Sequence, residues 1–452
     1  MKRPKLRSSL LLILLAGTFT NSLAQVAQTP PMGWNSYDSY GATVTEQEIR
    51  ANAKMMATHL KHAGWEYVVV DYCWYYPNVA ALNNPPQTDD DYQPRLIMDE
   101  YSRLLPDPER FPSANSGKGF KPLADYIHSL GLKFGIHVMR GIPRQAVYLN
   151  SKIKGLDISA RELADTKDSC QWLDNMYGID WSKKGGQEYY NSLIELYASW
   201  GVDYIKVDDI LAIGPYHEND IEALRKAIDL SGRDMVLSLS PGAAPLDQAA
   251  HLKENVNLWR ISADFWDRWE DLKHQFDLCH QWEQHIEPGH WPDADMIPIG
   301  LLSQRGPLGP ERRSNYSADE QQTLMTLWSI ARSPLMYGGD LTMMRPSELH
   351  LLTNKEVLAV NQASENNRQL FRRGNHVAWI ADVPNSENKY LGVFNLGEDA
   401  ETPVYVLLAD MGISASVEIK DLWSHKNLGK FKKDFQALLP AHGSGLYLIK
   451  TN

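Results

Sequence analysis

Asp208 closes the apolar run 203–208, and Asp264 follows the apolar run 258–262. Two carboxyls delivered from strand ends are the equipment for displacement at an acetal carbon. One stays ionised to attack, the other carries a proton to the departing oxygen, and retention of configuration needs them about 5 Å apart. Lys206 lies two residues before Asp208, so both side chains leave the same face of a strand and the ammonium keeps the aspartate ionised. Asp264 lies among Ala263, Phe265, Trp266 and Trp269, where loss of water is expected to favour its protonated form. Arg260, close by, pulls the other way. Either aspartate alone reads equally well as a strand-end cap or an ion-pair partner; the joint pattern is what favours chemistry.

Further polar residues fall where apolar runs stop: Asp71, His137, Ser240 and Asp340. Asp209, beside Asp208, points to the opposite face and is read as structural; Asp340, after Gly338-Gly339, is read as shaping a loop. Cys279, His280, His285 and His290 match no closed ligand spacing and lie around the tail of an amphipathic segment with Phe276, Leu278 and Trp282, so no metal is expected there. Asn315-Tyr316-Ser317 is a glycosylation sequon, but Ser317 with Glu320 is also a capping box, the simpler reading. Cys73, Cys170 and Cys279 are odd in number and widely spaced, which is no disulfide framework.

The elements that must position these groups repeat one design. A helix opened by the capping box Thr45…Glu48, with Ile49, Ala53, Met56 and Leu60 on one face, stops at Gly64 before the apolar run 65–71. A helix carrying Leu123, Ile127 and Leu130 stops at Gly131 before 133–138, and one carrying Tyr190, Leu193 and Tyr197 stops at Gly201 before 203–208. Glycine just past a helix end supplies the left-handed cap, and continuously apolar strands are those covered on both faces of a parallel sheet. Runs 235–239, 258–262 and 334–337 continue the alternation. Polar strand ends, with no glycine-rich phosphate loop, favour an α/β fold of the (β/α)8 TIM-barrel kind over a doubly wound sheet. Beyond about residue 360, short runs at 376–381, 389–395, 402–408, 416–422, 435–439 and 446–450 are separated by turns, as in an antiparallel β-sandwich. The expected division is 25–358 for the catalytic barrel and 359–452 for the sandwich. The stretch 83–119, rich in Pro, Asp and Ser, is expected as a pocket-shaping insertion after the second strand.

Residues 1–24 read as a cleaved signal peptide: Lys2, Arg3, Lys5 and Arg7, then the apolar stretch 10–15, then Ser22-Leu23-Ala24. The protein is therefore expected in a periplasm or outside the cell. Removing these residues from the 452 leaves 428, and takes the formal charge from −11 to −15 because they carry four basic and no acidic residues. So acidic a surface argues against nucleic acid or an anionic membrane as partner.

In order along the chain stand Pro30-Pro31-Met32-Gly33-Trp34-Asn35-Ser36-Tyr37, Asp71-Tyr72-Cys73-Trp74, Lys206-Val207-Asp208, Arg260-Ile261-Ser262-Ala263-Asp264, Asp293-Ala294-Asp295-Met296, Ser333-Pro334-Leu335-Met336 and Asp421-Leu422-Trp423. With this order and spacing the chain resembles glycoside hydrolase family 27, which includes the α-galactosidases, over nearly all of its length after residue 24. The resemblance implies a retaining double displacement on an oligosaccharide or polysaccharide side chain, with no cofactor and no metal. It puts the nucleophile on Asp208 and the general acid/base on Asp264, and Trp34, Asp71, Lys206, Arg260 and Asp295 on sugar-contacting positions. The specificity shell departs from the family. Where α-galactosidases carry two successive aspartates that hold sugar hydroxyls, this chain has Asp71-Tyr72. The third strand ends His137-Val138-Met139-Arg140 instead of offering a Tyr and a small acidic residue. The fifth is followed by Ser240-Pro241-Gly242 instead of an aromatic or Glu-containing stretch. The usual disulfide partner of Cys73 falls near Gly41 and Ala42. Tyr72, His137, Arg140 and Ser240 are therefore added as candidate substrate contacts.

The leading expectation is a terminal α-D-galactoside. A β-L-arabinopyranoside has the same ring stereochemistry without the hydroxymethyl group, and the loss of a hydroxyl-binding carboxylate at Tyr72 opens that alternative. The charges of His137, Arg140 and Arg144 open another, an anionic galacto-configured sugar held by bidentate arginine, unless Arg140 pairs with a neighbouring carboxylate. Transglycosylation would share the covalent intermediate. A reading of a different class is a non-catalytic carbohydrate-binding protein on the same scaffold; a pure binder has no need of both Asp208 and Asp264.

Overall fold

The computed structural model describes residues 26–77, 79, 96–211, 214–306, 308–399 and 402–451. The expected signal peptide, 1–24, and the first part of the expected insertion lie outside the described residues. Eight parallel strands form the core: β1 (Met32–Asn35), β2 (Tyr67–Val70), β3 (Lys133–Met139), β4 (Tyr204–Asp208), β5 (Val236–Leu239), β6 (Leu258–Arg260), β7 (Trp291–Asp293) and β8 (Leu335–Tyr337). They are hydrogen-bonded in the order β7-β6-β5-β4-β3-β2-β1-β8. The seam between β7 and β8 closes just past β7, where Ile297 pairs in parallel with Tyr337. There Ile297 N–H reaches Met336 O at 2.7 Å and Gly338 N–H reaches Ile297 O at 3.0 Å. The curled sheet is the (β/α)8 barrel that the helix–glycine–strand repeats predict.

Local chemistry explains the repeats. Thr45 and Glu48 form the capping box of the helix Glu46–His59, and Gly201 ends the helix Gly186–Trp200 at φ 86°, which a side chain would strain. On β1, a Cβ at Gly33 would lie 2.5 Å from the Tyr67 carbonyl oxygen, so glycine lets β1 and β2 approach. Every residue of β2 and β5 is buried, as strands covered on both faces must be.

After β3 the chain builds a three-stranded antiparallel flap, Ile142–Pro143, Ala164–Ser169 and Met176–Ile179, with Met176–Ile179 central. Its strand Ala164–Ser169 has no buried residue and leaves no alternation in the sequence. No helix among the described residues is long and apolar enough to cross a membrane.

The C-terminal domain holds β9 (Glu365–Arg373), β10 (His376–Asp382), β11 (Lys389–Asn395), β12 (Thr402–Leu407), β13 (Val417–Asp421), β14 (Asn427–Phe431), β15 (Asp434–Leu439) and β16 (Ser444–Thr451). A six-stranded antiparallel sheet, β9-β10-β11-β16-β13-β14, packs on the pair β12-β15, with Ile380, Val393 and Ile449 meeting Val404, Val406 and Phe435 between them. The last barrel helix, Lys355–Ala363, runs past the expected boundary at 358, because Val357, Leu358 and Val360 are its buried face. The sandwich also shares the barrel's core: Trp379, Phe394, Trp423 and Leu446 belong to the same buried cluster as Leu324 and Trp328.

Candidate active site

Asp208, the last residue of β4, is gripped at both oxygens. His137 on β3 places Nε2 2.7 Å from Oδ2, and Ser240, just past β5, donates its hydroxyl to Oδ1. An ionised carboxylate only accepts, so Nε2 carries the proton. Burial pushes the Asp208 carboxyl up, but His137, Lys206 and the hydrogen bonds from His137 and Ser240 outweigh it and hold the group far below the usual carboxylate range. Lys206 Nζ donates to Asp71 Oδ2 at 3.0 Å, and Asn35 Nδ2 donates to the same oxygen at 2.7 Å. Burial draws Lys206 down; Asp71, then Asp208 and Asp295, overcome this and hold its ammonium well above its ordinary value. Asp71 is held low in turn, with Lys206 and His137 overriding its burial.

Across from this group, Arg260 at the end of β6 donates from Nη2 to Asp264 Oδ1 at 3.2 Å and lies 2.6 Å from Asp295 Oδ2. The desolvation expected for Asp264 is not found, since its side chain is 55 % exposed. Phe265 packs on Tyr316 and Trp328, Trp266 is buried beside Tyr37, and Trp269 stacks on His442 of the sandwich at 3.7 Å, so the carboxyl stays open to solvent. Asp295 is wholly buried, at φ 82°. Its carboxyl is raised by burial, against Arg260, with Asp264 and Asp293 adding to the rise. Phe265 N–H also donates to it at 2.7 Å.

Tyr37 joins the two halves. Burial raises its phenol first, and Tyr72, Asp264, Asp71 and Asp208 raise it further, so charges from both halves act on it. Lys206 Nζ stands 5.6 Å from the ring centroid. Tyr72 packs edge-on against Tyr37 at 5.4 Å and His137 at 5.8 Å. Trp34 is fully buried beneath, its Nε1 donating to Gly339 O at 2.8 Å. Asn35 and Tyr37 are site residues that no pattern in the sequence singles out. The available signal was position, since Asn35 ends β1 and Tyr37 opens the short helix that follows it.

Arg140 does not face substrate. Its Nε donates to Asp209 O at 2.7 Å, Nη1 to Asp168 Oδ2 at 2.7 Å, and Nη2 to Asp168 Oδ1 and Asp209 Oδ2, both at 3.0 Å. The residue is 2 % exposed. Arg144 is paired with Asp174. Both cations are neutralised inside the protein, which removes the basis for an anionic sugar held by these arginines. His137, expected in the specificity shell, holds Asp208. Asp209 is structural, at φ 63°, its carboxyl pushed up to about 6 by burial against the pull of Arg140.

Asp340 shapes its loop, accepting from Thr342 N–H and Gln304 Nε2, each at 2.8 Å. Ser317 and Glu320 form the expected capping box. All three cysteines are buried and unpaired. His290 is bonded to Val256 O and His280 to Glu283. The metal-type ligands that do gather among the described residues are Glu218, Glu222 and His251.

A (β/α)8 barrel that gathers a firmly ionised carboxylate and an exposed carboxyl at its strand ends has the architecture of a glycosidase. Residues 29–186 and 182–363 match the family model described as alpha galactosidase A, and residues 373–449 match that of the alpha galactosidase C-terminal beta sandwich domain. The chain belongs to glycoside hydrolase family 27 and is a glycosidase. It is similar to a solved family-27 β-L-arabinopyranosidase from Geobacillus stearothermophilus, with 50% identity, 95% of this chain and 98% of that one covered, and a TM-score of 0.90. A variant of that enzyme was solved in complex with arabinose. Curated relatives include alpha-galactosidase 2 of Arabidopsis thaliana, 26% identical over 94% of this chain and 90% of its own length. The alpha-galactosidase of Coffea arabica is 29% identical over 93% of each.

Proposed function

We propose that this enzyme is a retaining exo-glycosidase whose preferred substrate is a terminal β-L-arabinopyranoside. Asp208 attacks the anomeric carbon while Asp264 protonates the departing oxygen, leaving a glycosyl ester on Asp208. Asp264 then takes a proton from water as the water attacks the same carbon, and Asp208 leaves. The low-lying carboxyl of Asp208 suits attack, and the exposed position of Asp264 suits exchange with leaving group and solvent in turn.

The observation that carries the sugar preference is Tyr72. An aromatic ring, packed against Tyr37, His137 and Trp172, stands where a second carboxylate would hold a hydroxyl of galactose. A pentopyranose that lacks the hydroxymethyl group needs no such partner. The 50% identity to a β-L-arabinopyranosidase supports the same reading. A second reading, α-D-galactoside hydrolysis, is favoured by the names of the curated relatives.

A panel of nitrophenyl glycosides tests the proposal. The expected result is a higher kcat/KM on the β-L-arabinopyranoside than on the α-D-galactoside; the reverse order installs the second reading. NMR of the first-formed sugar is expected to show retention. Asp208→Gly is expected to lose activity and regain turnover with azide, giving a glycosyl azide of inverted configuration. Inverted product from the wild type would remove Asp208 from the nucleophile's role.

A further inference from the structure

Tyr72 is bordered on the flap side by Trp172, 6.4 Å away between ring centroids. The two belong to a chain of rings along the site, with Trp266 and Tyr37 6.3 Å apart and Tyr37 and Tyr72 5.4 Å apart. The chain starts two residues from Asp264 and ends on the flap. Trp266 at its inner end is buried; Trp172 at its outer end is 39 % exposed.

Trp172 is fixed in place. It lies in the turn between the flap strands Ala164–Ser169 and Met176–Ile179. Cys170, two residues before Trp172, is buried. Asp168, four residues before Trp172, takes both Nη groups of Arg140, which holds the Asp209 carbonyl. The flap is thereby fastened to the residue that follows Asp208. An uncovered indole whose backbone is locked to the end of β4 is a preorganised surface, and a ligand ordering against it pays no cost of ordering the protein.

We propose that Trp172 is the leaving-group subsite of this enzyme, its indole taking the face of the sugar or aromatic ring attached through the scissile oxygen. The inference rests on the exo-glycosidase reading. On that reading the terminal sugar would lie against Asp208 beside Asp71, Tyr72 and Lys206, and the part of the substrate beyond the scissile bond would reach the exposed rim. Aromatic faces attract rings with little regard to their substituents. The platform therefore selects ring-bearing leaving groups over small alkyl ones.

The test uses the glycone that the nitrophenyl panel shows the wild type prefers, which makes it independent of the choice between arabinopyranoside and galactoside. Wild type, Trp172→Ala and Trp172→Phe are compared on the methyl glycoside, the nitrophenyl glycoside and a disaccharide of that sugar. The value of kcat/KM covers the steps up to departure of the leaving group. The ratio of kcat/KM on the disaccharide to that on the methyl glycoside is expected to fall roughly tenfold in Trp172→Ala and to recover largely in Trp172→Phe. An equal loss on all three glycosides overturns the subsite and makes Trp172 a support for Tyr72. No change on any of them overturns it as well. A wild type that cleaves no glycoside overturns the functional reading and the subsite together, whereas an active wild type with an unaltered ratio overturns the subsite alone. Thermal unfolding of both variants separates loss of fold from loss of contact.

Discussion

Ser240 and His137 each occupy one oxygen of Asp208, and together with Lys206 they reverse what burial alone would do to that carboxyl. Ser240→Ala removes one hydrogen bond to the ionised form, so the Asp208 carboxyl is expected to rise. At a given acidic pH a smaller fraction of the enzyme then carries the charged group. The acid limb of kcat/KM moves to higher pH, with a loss of roughly ten- to a hundredfold that is largest on the acid side. An equal loss at every pH would reduce Ser240 to packing. The aspartates themselves were legible in the sequence because each follows an apolar run, and Lys206 because parity places it on the Asp208 face. Their surroundings were not. Arg140 reads either as a substrate contact or as the partner of a nearby carboxylate, and the partner, Asp168, lies 28 residues further on in a flap that no pattern announces. Trp269 reads as a neighbour of Asp264 until the sandwich draws it to His442.

At the scale of the element, the flap is tied to β4 through Asp209, and that tie titrates. Burial raises the Asp209 carboxyl from 3.8 to about 6. The folded protein therefore binds this proton more tightly than the unfolded chain, and the group's contribution to stability falls as pH rises from about 4 through 6. Asp209→Asn removes the titration. Relative to wild type, the variant is expected to gain stability over that window by up to about 3 kcal/mol and to level off above it. Paired thermal melts from pH 4 to 8 measure the difference; a constant offset would show that Asp209 ionises alike in both states. The flap escaped the sequence reading because Ala164–Ser169 has no buried apolar alternation, its only support being polar. The edge strands β9 and β14 escaped for a related reason: β14 is exposed along nearly all of its length, and on β9 the one fully buried residue is the polar Asn367. The barrel's helix–glycine–strand units and the inner sandwich strands were legible because burial on both faces, or alternation on one, leaves its period in the residues.

For the whole molecule, the helix Ala318–Ile330 links the sandwich to the site. On one side Thr323 Oγ1 donates to His442 O at 2.7 Å, and Trp423 Nε1 donates to Thr326 Oγ1 at 3.0 Å. On the other, Trp328 Nε1 donates to the carbonyl of Asp295 at 2.9 Å, next to Arg260. The sandwich is thus part of what holds β7 and the following loop in register. Phe394 on β11 tests the coupling. It is fully buried and meets Phe276 of the barrel helix Trp269–Trp282 edge-on at 4.9 Å. Phe394→Ala leaves a cavity between the two domains, expected to cost roughly 3–5 kcal/mol. Because the barrel and sandwich share one core, the loss should lower a single unfolding transition, seen alike by calorimetry and by loss of glycosidase activity. Two transitions, with the sandwich melting first while the barrel keeps its activity, would mean that the barrel holds Asp295 and Arg260 without help from the C-terminal domain.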